Sequence, residues 1–400
     1  PVVFITGHVN SPLIGYDAFQ ETDMTGITLP ITKQNYLITD AEEIAPTIRE
    51  AFFIARSGRP GPVLIDITKD AQQAEIEWEY DDSPVHLPGY RPDLSPAEAD
   101  LERAVEMIEA ARKPLILAGH GILISGAMTE VLEFAERTQT PVASTLLGLS
   151  AFPGSHPLSL GMMGMHGEAW VNQAIQEADL LLAFGMRFDD RVTGKVSKFA
   201  PQARKIHFEI DPSEINKNVQ VDIALVGDLK ETLQKILPSL ESANHADWLT
   251  QVNTLKGDCA VRDIQNLPDN GHLYAAHVIN ALWQVTQGKA IITSDVGQNQ
   301  MWTAQYYRHD EPNTAITSGG LGTMGFGLPS GIGTKFAKPD QEVWVIAGDG
   351  GFQMTQAELS TIAQEGIKLN IAILNNGYLG MVRQWQELFY DKRYTATPMK

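Results

Sequence analysis

Two short apolar runs near the C-terminal end constrain the fold more than anything else in this chain. Glu342-Val343-Trp344-Val345-Ile346-Ala347 and Leu369-Asn370-Ile371-Ala372-Ile373-Leu374 are of strand length, and each stops in turn-forming residues, Gly348-Asp349-Gly350 and Asn375-Asn376. Between them, Thr355 and Glu358 form a capping-box pattern ahead of Leu359 and Ile362, which predicts a helix starting there. Strand, helix and strand make a crossover unit, and such a crossover makes the two strands parallel. Asp349 and Asn376 then sit just past the carboxyl ends of parallel strands, where open α/β sheets collect ligands. If the strands are neighbours, roughly 5 Å apart, both side chains can reach one ion.

A carboxylate and an amide oxygen, with few other protein ligands, suit a hard cation that keeps water and borrows phosphate oxygens. Magnesium bridging a diphosphate meets that description. Gly350 and Gly351 would let backbone N–H groups close on the phosphates, with a helix N-terminus behind them. Taken singly, each motif is also what a plain Asp-Gly or Asn-Asn-Gly turn would show. The pair points to a site because 24 residues separate Gly350 from Asn375 on this secondary structure.

Composition bounds the rest. The 400 residues, 43% of them hydrophobic, are enough for two or three cores. A net charge of −19 without a Lys/Arg-rich run argues against nucleic acid and anionic membrane as partners. The sole cysteine, Cys259, allows no intrachain disulfide framework and suits a reducing compartment. No uninterrupted apolar stretch reaches transmembrane length and no signal peptide opens the chain, so the expected location is cytoplasmic or organellar. Both ends read as cuts through domains: Pro1 opens directly into the strand-like run Val2 to Gly7, and Lys400 follows an aromatic-rich segment, Trp385 to Tyr394. The chain therefore reads as an internal piece of a longer protein.

Three regions are expected. The first, 1–73, holds that opening strand, a helix from Ala41 to about Ser57, and a strand Val63 to Ile67 after the Gly58-Arg59-Pro60-Gly61-Pro62 loop. An acidic, proline-containing linker, 74–96, leads to a second region, 97–240. Its expected strands are Pro114–Ala118, Pro141–Ser144, Leu180–Phe184, Lys205–Ile210 and Ile223–Val226, with helices such as Leu101–Ala111 and Ala127–Arg137 between them. That alternation predicts a doubly wound, mostly parallel sheet. Gly119-His120-Gly121, Gly185 to Arg191 and Glu209-Ile210-Asp211 follow or close strands there. Glycines for close approach, arginines for phosphate and an acid for a ribose hydroxyl suggest a dinucleotide site, with ordinary turns and surface ion pairs as the alternative. After a second linker, 241–272, the third region, 273–400, opens with the strand Ala290 to Ser294 and the loop Asp295-Val296-Gly297-Gln298-Asn299. The run Ser318 to Gly327 is too glycine-rich for an ordinary helix. Within it Met324 offers an adaptable apolar surface for a ring, or simply fills core.

Asp17-Ala18-Phe19-Gln20-Glu21, Ser57 to Val63, Gly164-Met165-His166-Gly167, Arg187 to Gly194, Leu321 to Gly327, Asn375-Asn376 and Met381-Val382-Arg383-Gln384-Trp385 together resemble the catalytic large subunit of acetohydroxyacid (acetolactate) synthase, from Pro1 to Lys400. The resemblance implies a thiamine diphosphate-enzyme α/β fold: the end of a pyrimidine-binding domain, a central FAD-type domain and an incomplete diphosphate-binding domain. It implies that Asp349, Asn376 and the carbonyl of Tyr378 hold Mg2+, and that Val296, Gly297, Gln298, Gly322, Gly350, Gly351, Gly380 and Met381 line thiamine diphosphate. Met324 would support the bent cofactor, so that the cofactor's own amine serves as base and the protein supplies conformation. The implied reaction is decarboxylation of pyruvate and ligation to a second 2-oxo acid, pyruvate or 2-oxobutyrate, in branched-chain amino-acid biosynthesis. Arg191 would pair with the acceptor carboxylate, Trp385 would pack on its alkyl group, and Met165 and Gln20 would lie near the reacting centre.

The family also carries FAD without net redox change. Gly119, Gly121, Thr145, Leu146, His166, Gly185, Arg187, Asp190, Glu209 and Asp228 match its positions. The chain departs from the family's pattern at His120, where glycine is usual, and at His86. The glutamate that activates the cofactor lies, in the family, upstream of Pro1 and reaches the site from a partner subunit, so this piece alone is expected to be inactive. The resemblance further implies a homodimer or homotetramer with interface active sites and a small regulatory subunit. The alternatives are another thiamine diphosphate-dependent carboligase or decarboxylase, or a non-catalytic nucleotide-binding fragment.

Overall fold

The computed structural model describes residues 1–77, 79, 81–259 and 270–399. The chain divides into two compact units, residues 1–95 and 96–400.

In the first unit, strands β1 (Val2–His8), β2 (Gln34–Ile38) and β3 (Pro62–Thr68) form a parallel sheet in the order β1-β3-β2. The central strand β3 is a near-continuous apolar run because it is covered on both faces. The helix Ile44–Arg56 lays Thr47, Ala51, Ile54 and Ala55, spaced at helical period, onto the sheet. The polar start of β2, Gln34-Asn35, hides this edge strand from a hydrophobicity reading. The 74–96 segment packs back on this unit: the Tyr90 hydroxyl lies 2.9 Å from Ser57 Oγ, and Lys33 Nζ donates to it at 2.8 Å. Within that segment Trp78 and Tyr80 lie outside the described residues.

The second unit contains two sheets. The first has six strands, all parallel: β4 (Pro114–Ala118), β5 (Val142–Ser144), β6 (Ser159–Met162), β7 (Leu180–Phe184), β8 (Arg204–Glu209) and β9 (Ile223–Val226), in the order β6-β5-β4-β7-β8-β9. Because side chains alternate along a strand, Ile116 and Ala118 feed one core and Leu115 and Leu117 the other. On one face Phe134, Phe184 and Phe208 meet edge to face at centroid distances of 5.4 and 4.6 Å. The other face is closed partly by a helix, Ala246–Cys259, in the 241–272 stretch expected to be a linker. Its Trp248 and Val252 are buried in the core, and Trp248 Nε1 donates to Pro114 O at 2.9 Å. Residues 260–269 of that stretch lie outside the described residues.

The second sheet is also parallel: β10 (Ile291–Ser294), β11 (Ala315–Thr317), β12 (Val343–Gly348) and β13 (Asn370–Leu374), in the order β11-β10-β12-β13. The expected neighbours β12 and β13 do pair, with Gly348 opposite Leu374. A helix does start at Leu359, as the capping-box pattern predicts, but it is not the first after β12 and the cap itself does not form. The first helix begins at Asp349, directly after β12, and runs to Thr355; a 3-10 turn, Gln356–Glu358, precedes the further helix, Leu359–Glu365. Thr355 caps nothing, and its hydroxyl instead donates to Gly325 O at 3.0 Å. Two glycines in the first turn argue locally against a helix there, and tertiary packing overrides that propensity. Short strands β6 and β11, four and three residues long, carry too little pattern to be seen in sequence.

The two sheets of this unit touch. Gly154 N donates to His309 O at 2.8 Å, Ser155 N to the Asp310 carboxylate at 2.7 Å, and Gln305 Nε2 to His166 O at 2.8 Å.

Candidate functional site

Three helices start at the carboxyl ends of β10, β12 and β13: Gln298–Tyr306, Asp349–Thr355 and Gly380–Phe389. Their first residues surround one cleft, at the point where the strand order reverses between β10 and β12. Val296, Gly297, Gln298, Met324, Asp349, Gly350, Gly351, Asn376, Tyr378, Gly380 and Met381 line it, together with Asn299, Trp302 and Leu379, among others. All of the thiamine-site positions expected from sequence except Gly322 are therefore wall residues. Gly322 stands beside that wall, at φ +63°, with the direction of its missing side chain 3.8 Å from Val296 Cγ1.

Helix N-termini carry partial positive charge and unpaired N–H groups, so three pointing at one place favour an anion. Among the described residues lining the cleft, the only ionisable acid is Asp349, and no lysine or arginine accompanies it. An anion seated there faces that carboxylate with no basic side chain to offset it, and a cation shared between the two would relieve the repulsion. The donors present fit a hard one: the Asp349 carboxylate, Asn376 Oδ1 and the Tyr378 carbonyl. Asn376 is held in place: its Oδ1 accepts from Tyr378 N at 2.9 Å and its Nδ2 donates to Gln298 Oε1 at 3.3 Å. Gln298 in turn donates to Gln384 Oε1 at 3.0 Å, joining the β10 loop to the last helix. Arg383 stacks its guanidinium on Tyr378 at 4.1 Å and on Tyr394 at 4.5 Å, which steadies the Tyr378 turn. Among the described residues, no group of three His, Cys, Asp or Glu side chains could hold a metal elsewhere.

The glycines have a reason that sequence did not reveal. A Cβ on Gly351 would meet Asp295, with Cγ at 2.7 Å; one on Gly350 would lie 2.8 Å from Leu379 Cδ2; one on Gly380 would lie 2.7 Å from Asn376 Nδ2. Their missing side chains let the walls of the cleft pack on each other. Asp295 and Asn299 are the residues that sequence reasoning passed over. Both are buried; Asn299 Nδ2 donates to Asp295 O at 2.9 Å and to Ile346 O at 3.2 Å, tying the ends of β10 and β12 together. The available signal was four polar side chains within Asp295 to Gln300, directly at the end of an apolar strand.

Arg191 and Met165 lie together: Arg191 Nη1 is 3.9 Å from Met165 Sδ, and Met165 N donates to Arg191 O at 2.7 Å. Arg191 and burial both push the neighbouring His166 imidazole down, burial more strongly. Neither Arg191 nor Met165 is a wall residue of the cleft. Trp385 is half-buried one turn beyond the cleft, its ring 5.1 Å from that of Phe389. Gln20 lies in an exposed loop of the first unit, at φ +65°.

The middle sheet has its own reversal, between β4 and β7, and Gly119, Gly121 and Gly185 sit there. A Cβ on Gly119 would lie 2.7 Å from Met186 Cβ, and one on Gly121 would lie 2.6 Å from Gly185 Cα. These glycines are thus required by each other. Thr145 Oγ1 accepts from Gly148 N at 3.0 Å; Asp228 caps the helix Leu229–Ile236; and Glu209 accepts from Ile210 N and Asp211 N at 3.0 and 3.2 Å. Arg187 is half-exposed, 3.7 Å from the Asp189 carboxylate, and Asp190 is exposed. His120 Nδ1 lies 2.8 Å from Leu147 O. Leu147, beside Leu146, abuts Gly319 of the glycine-rich run, where it fills the space a side chain would need.

A parallel α/β sheet presenting helix N-termini and a lone carboxylate at its switch point is the arrangement of a thiamine pyrophosphate enzyme. Residues 101–236 match the model for the thiamine pyrophosphate enzyme central domain, and residues 295–400 match that for the C-terminal TPP binding domain. Full-chain similarity narrows the class. The chain is 47% identical over 406 residues to the acetolactate synthase large subunit of Corynebacterium glutamicum, covering 100% of this chain and 64% of that protein. It is 46% identical over 401 residues to the probable acetolactate synthase large subunit of Methanocaldococcus jannaschii, covering 98% and 68%. It is 45% identical over 405 residues to the acetolactate synthase of Mycobacterium bovis, covering 100% and 65%. The chain belongs to the acetolactate synthase large-subunit family, and it spans about two thirds of the length of these relatives. Among the described residues, no helix is long and apolar enough to cross a membrane.

Proposed function

We propose that the cleft binds thiamine diphosphate through Mg2+, and that the protein to which this chain belongs condenses pyruvate with a second 2-oxo acid to give 2-acetolactate or, from 2-oxobutyrate, 2-aceto-2-hydroxybutyrate. The observation that carries this reading is the meeting of three helix N-termini with Asp349 and no basic side chain, which suits a diphosphate only when a cation is shared.

When bound, the cofactor supplies a nucleophilic carbon and an electron sink for loss of carbon dioxide. The chain's own residues hold it. Asp349, Asn376 and the Tyr378 carbonyl would take the metal; Val296, Gly297, Gln298, Gly322, Gly350, Gly351, Gly380 and Met381 would line the cofactor; Met324, a wall residue of the same cleft, would support it. Arg191, fixed beside Met165, would bind the acceptor carboxylate, and Trp385 would shape the space for its alkyl group.

We further propose FAD at the β4–β7 reversal, on Gly119, Gly121, Thr145, Leu146, His166, Gly185, Arg187, Asp190, Glu209 and Asp228. The strand order there is that of dinucleotide-binding sheets, which supports the assignment; the glycines alone do not, because they pack on one another. Assembly as a homo-oligomer with a small regulatory subunit, in the cytoplasm or an organelle, belongs to the same reading. Magnesium-dependent binding of thiamine diphosphate, followed by quenching of tryptophan fluorescence and lost in Asp349→Ala, tests the site. Product analysis from pyruvate with both cofactors and Mg2+ tests the reaction, and a product other than an acetohydroxy acid would overturn it.

A further inference from the structure

The carboxylate of Asp295 is 0% exposed and accepts three main-chain N–H groups: Val296 at 2.8 Å, Gly325 at 3.1 Å and Gly327 at 2.8 Å. Val296 is a wall residue of the cleft, and Gly325 directly follows Met324, another wall residue. Gly325 is held from its other side as well, because its carbonyl accepts from Thr355 Oγ1 at 3.0 Å. The peptide planes before and after Gly325, which sits at φ +85°, are therefore both anchored. The same carboxylate occupies the space that a side chain at Gly351 would need. One buried group thus touches the β10 loop, the glycine-rich run and the first turn after β12, the three segments that frame Met324.

We propose that Asp295 is a positioning residue for the cofactor: it fixes the backbone that aims Met324 into the cleft. This rests on the reading that the cleft takes thiamine diphosphate. Buried N–H groups need an acceptor, and Asp295 offers only acceptors where an amide would turn one NH2 toward a donor. Asp295→Asn therefore keeps the volume while opposing the grip. Thr355→Val removes the second anchor at Gly325 with little change of shape.

The test compares the wild-type chain, both variants and Val131→Ala, a core change beneath the middle sheet, by thermal melting, peptide-resolved hydrogen exchange, and titration with Mg2+ and thiamine diphosphate followed by near-ultraviolet circular dichroism of the bound aminopyrimidine. Asp295→Asn should raise exchange across 321–327 by about tenfold or more, a local opening, and weaken cofactor binding by about tenfold with an altered dichroism band, as lost preorganisation requires. Thr355→Val should show the same changes, smaller. Val131→Ala should lower the melting temperature and leave the segment's exchange and the band unchanged. If Asp295→Asn does not fold, Thr355→Val decides. Folded variants with wild-type exchange and an unchanged band would overturn the proposal. A wild-type chain that binds no thiamine diphosphate would instead overturn the cofactor reading, and exchange across 321–327 would still judge the hold of Asp295.

Discussion

Gly351→Ala should damage this protein although alanine is the better helix former. Gly351 lies in the first turn of Asp349–Thr355 and is buried. An added Cβ would collide first with Asp295 Oδ1 and would sit 2.7 Å from Cγ, where ordinary contact begins at 3.4 Å, so the carboxylate must retreat by more than that difference. It cannot do so freely, since Val296, Gly325 and Gly327 hold it. Overpacking of this kind costs about 1–3 kcal/mol, and loosening one hydrogen bond to a charged acceptor adds about 1.5–3 kcal/mol. The gain in helix propensity offsets about 1 kcal/mol. The net loss of about 1.5–5 kcal/mol corresponds to a fall of roughly 3–20 °C in melting temperature at about 2–4 °C per kcal/mol. Gly333 is the internal control: it too is helical, but nothing lies within 4 Å of its added Cβ. Gly333→Ala should therefore stabilise by about 0.5–1 kcal/mol. The assay is thermal melting of Gly351→Ala, Asp295→Ala and the double variant. If the collision is the cause, alanine at 351 becomes nearly harmless once Asp295 is shortened, and the cycle shows a coupling above about 1 kcal/mol. Gly351→Ala melting with the wild type, or costing the same in both backgrounds, would refute the reasoning.

Three further outcomes are expected. Asp349→Ala should abolish the magnesium dependence of thiamine diphosphate binding and weaken it by about a hundredfold or more, as loss of a charged partner implies; equal titration curves for variant and wild type would count against the metal site. Burial pushes the His309 imidazole down to about 3, whereas an unfolded histidine titrates near 6.5. Below about pH 6.5 the unfolded state thus binds more protons than the native one, and stability should fall with pH by up to about 1.4 kcal/mol per unit, returning above that value. The buried His207, also held down chiefly by desolvation, acts in the same direction. His309→Gln should flatten the melting-temperature profile between pH 7 and pH 5 (roughly the window in which this linkage acts), and a curve parallel to the wild type would exclude this account. Trp385→Leu, in the active protein, should reduce the preference for 2-oxobutyrate over pyruvate by several-fold, since one methylene of burial is worth about 0.8 kcal/mol; an unchanged product ratio would remove Trp385 from the acceptor pocket.

Much of the site was legible because its chemistry is local. Gly348-Asp349-Gly350 and Asn375-Asn376 stand at the ends of apolar runs, and a strand's carboxyl end is where a parallel sheet exposes side chains to a ligand. The run Val296-Gly297-Gln298 was legible for the same reason. Capping was not: Thr355 and Glu358 have the right spacing, yet Thr355 bonds Gly325, 30 residues away in sequence. Edge strand β2 and the short β6 and β11 were also hidden, because they owe their existence to neighbours already in the sheet.

The sequence by itself therefore determined the parallel α/β class, the residue types at the strand ends and the family. Periodicity, turn chemistry and short motifs are properties of adjacent residues. Only the tertiary structure decided why the glycines are glycines and which acid is a ligand candidate and which a brace. Asp349 and Asp295 look alike in sequence, each an acid at the end of an apolar strand. Asp349 faces the cleft, while Asp295 is buried under main-chain N–H groups from a loop some thirty residues further along. That distinction depends on which segments the crossovers bring side by side, and no local pattern records it.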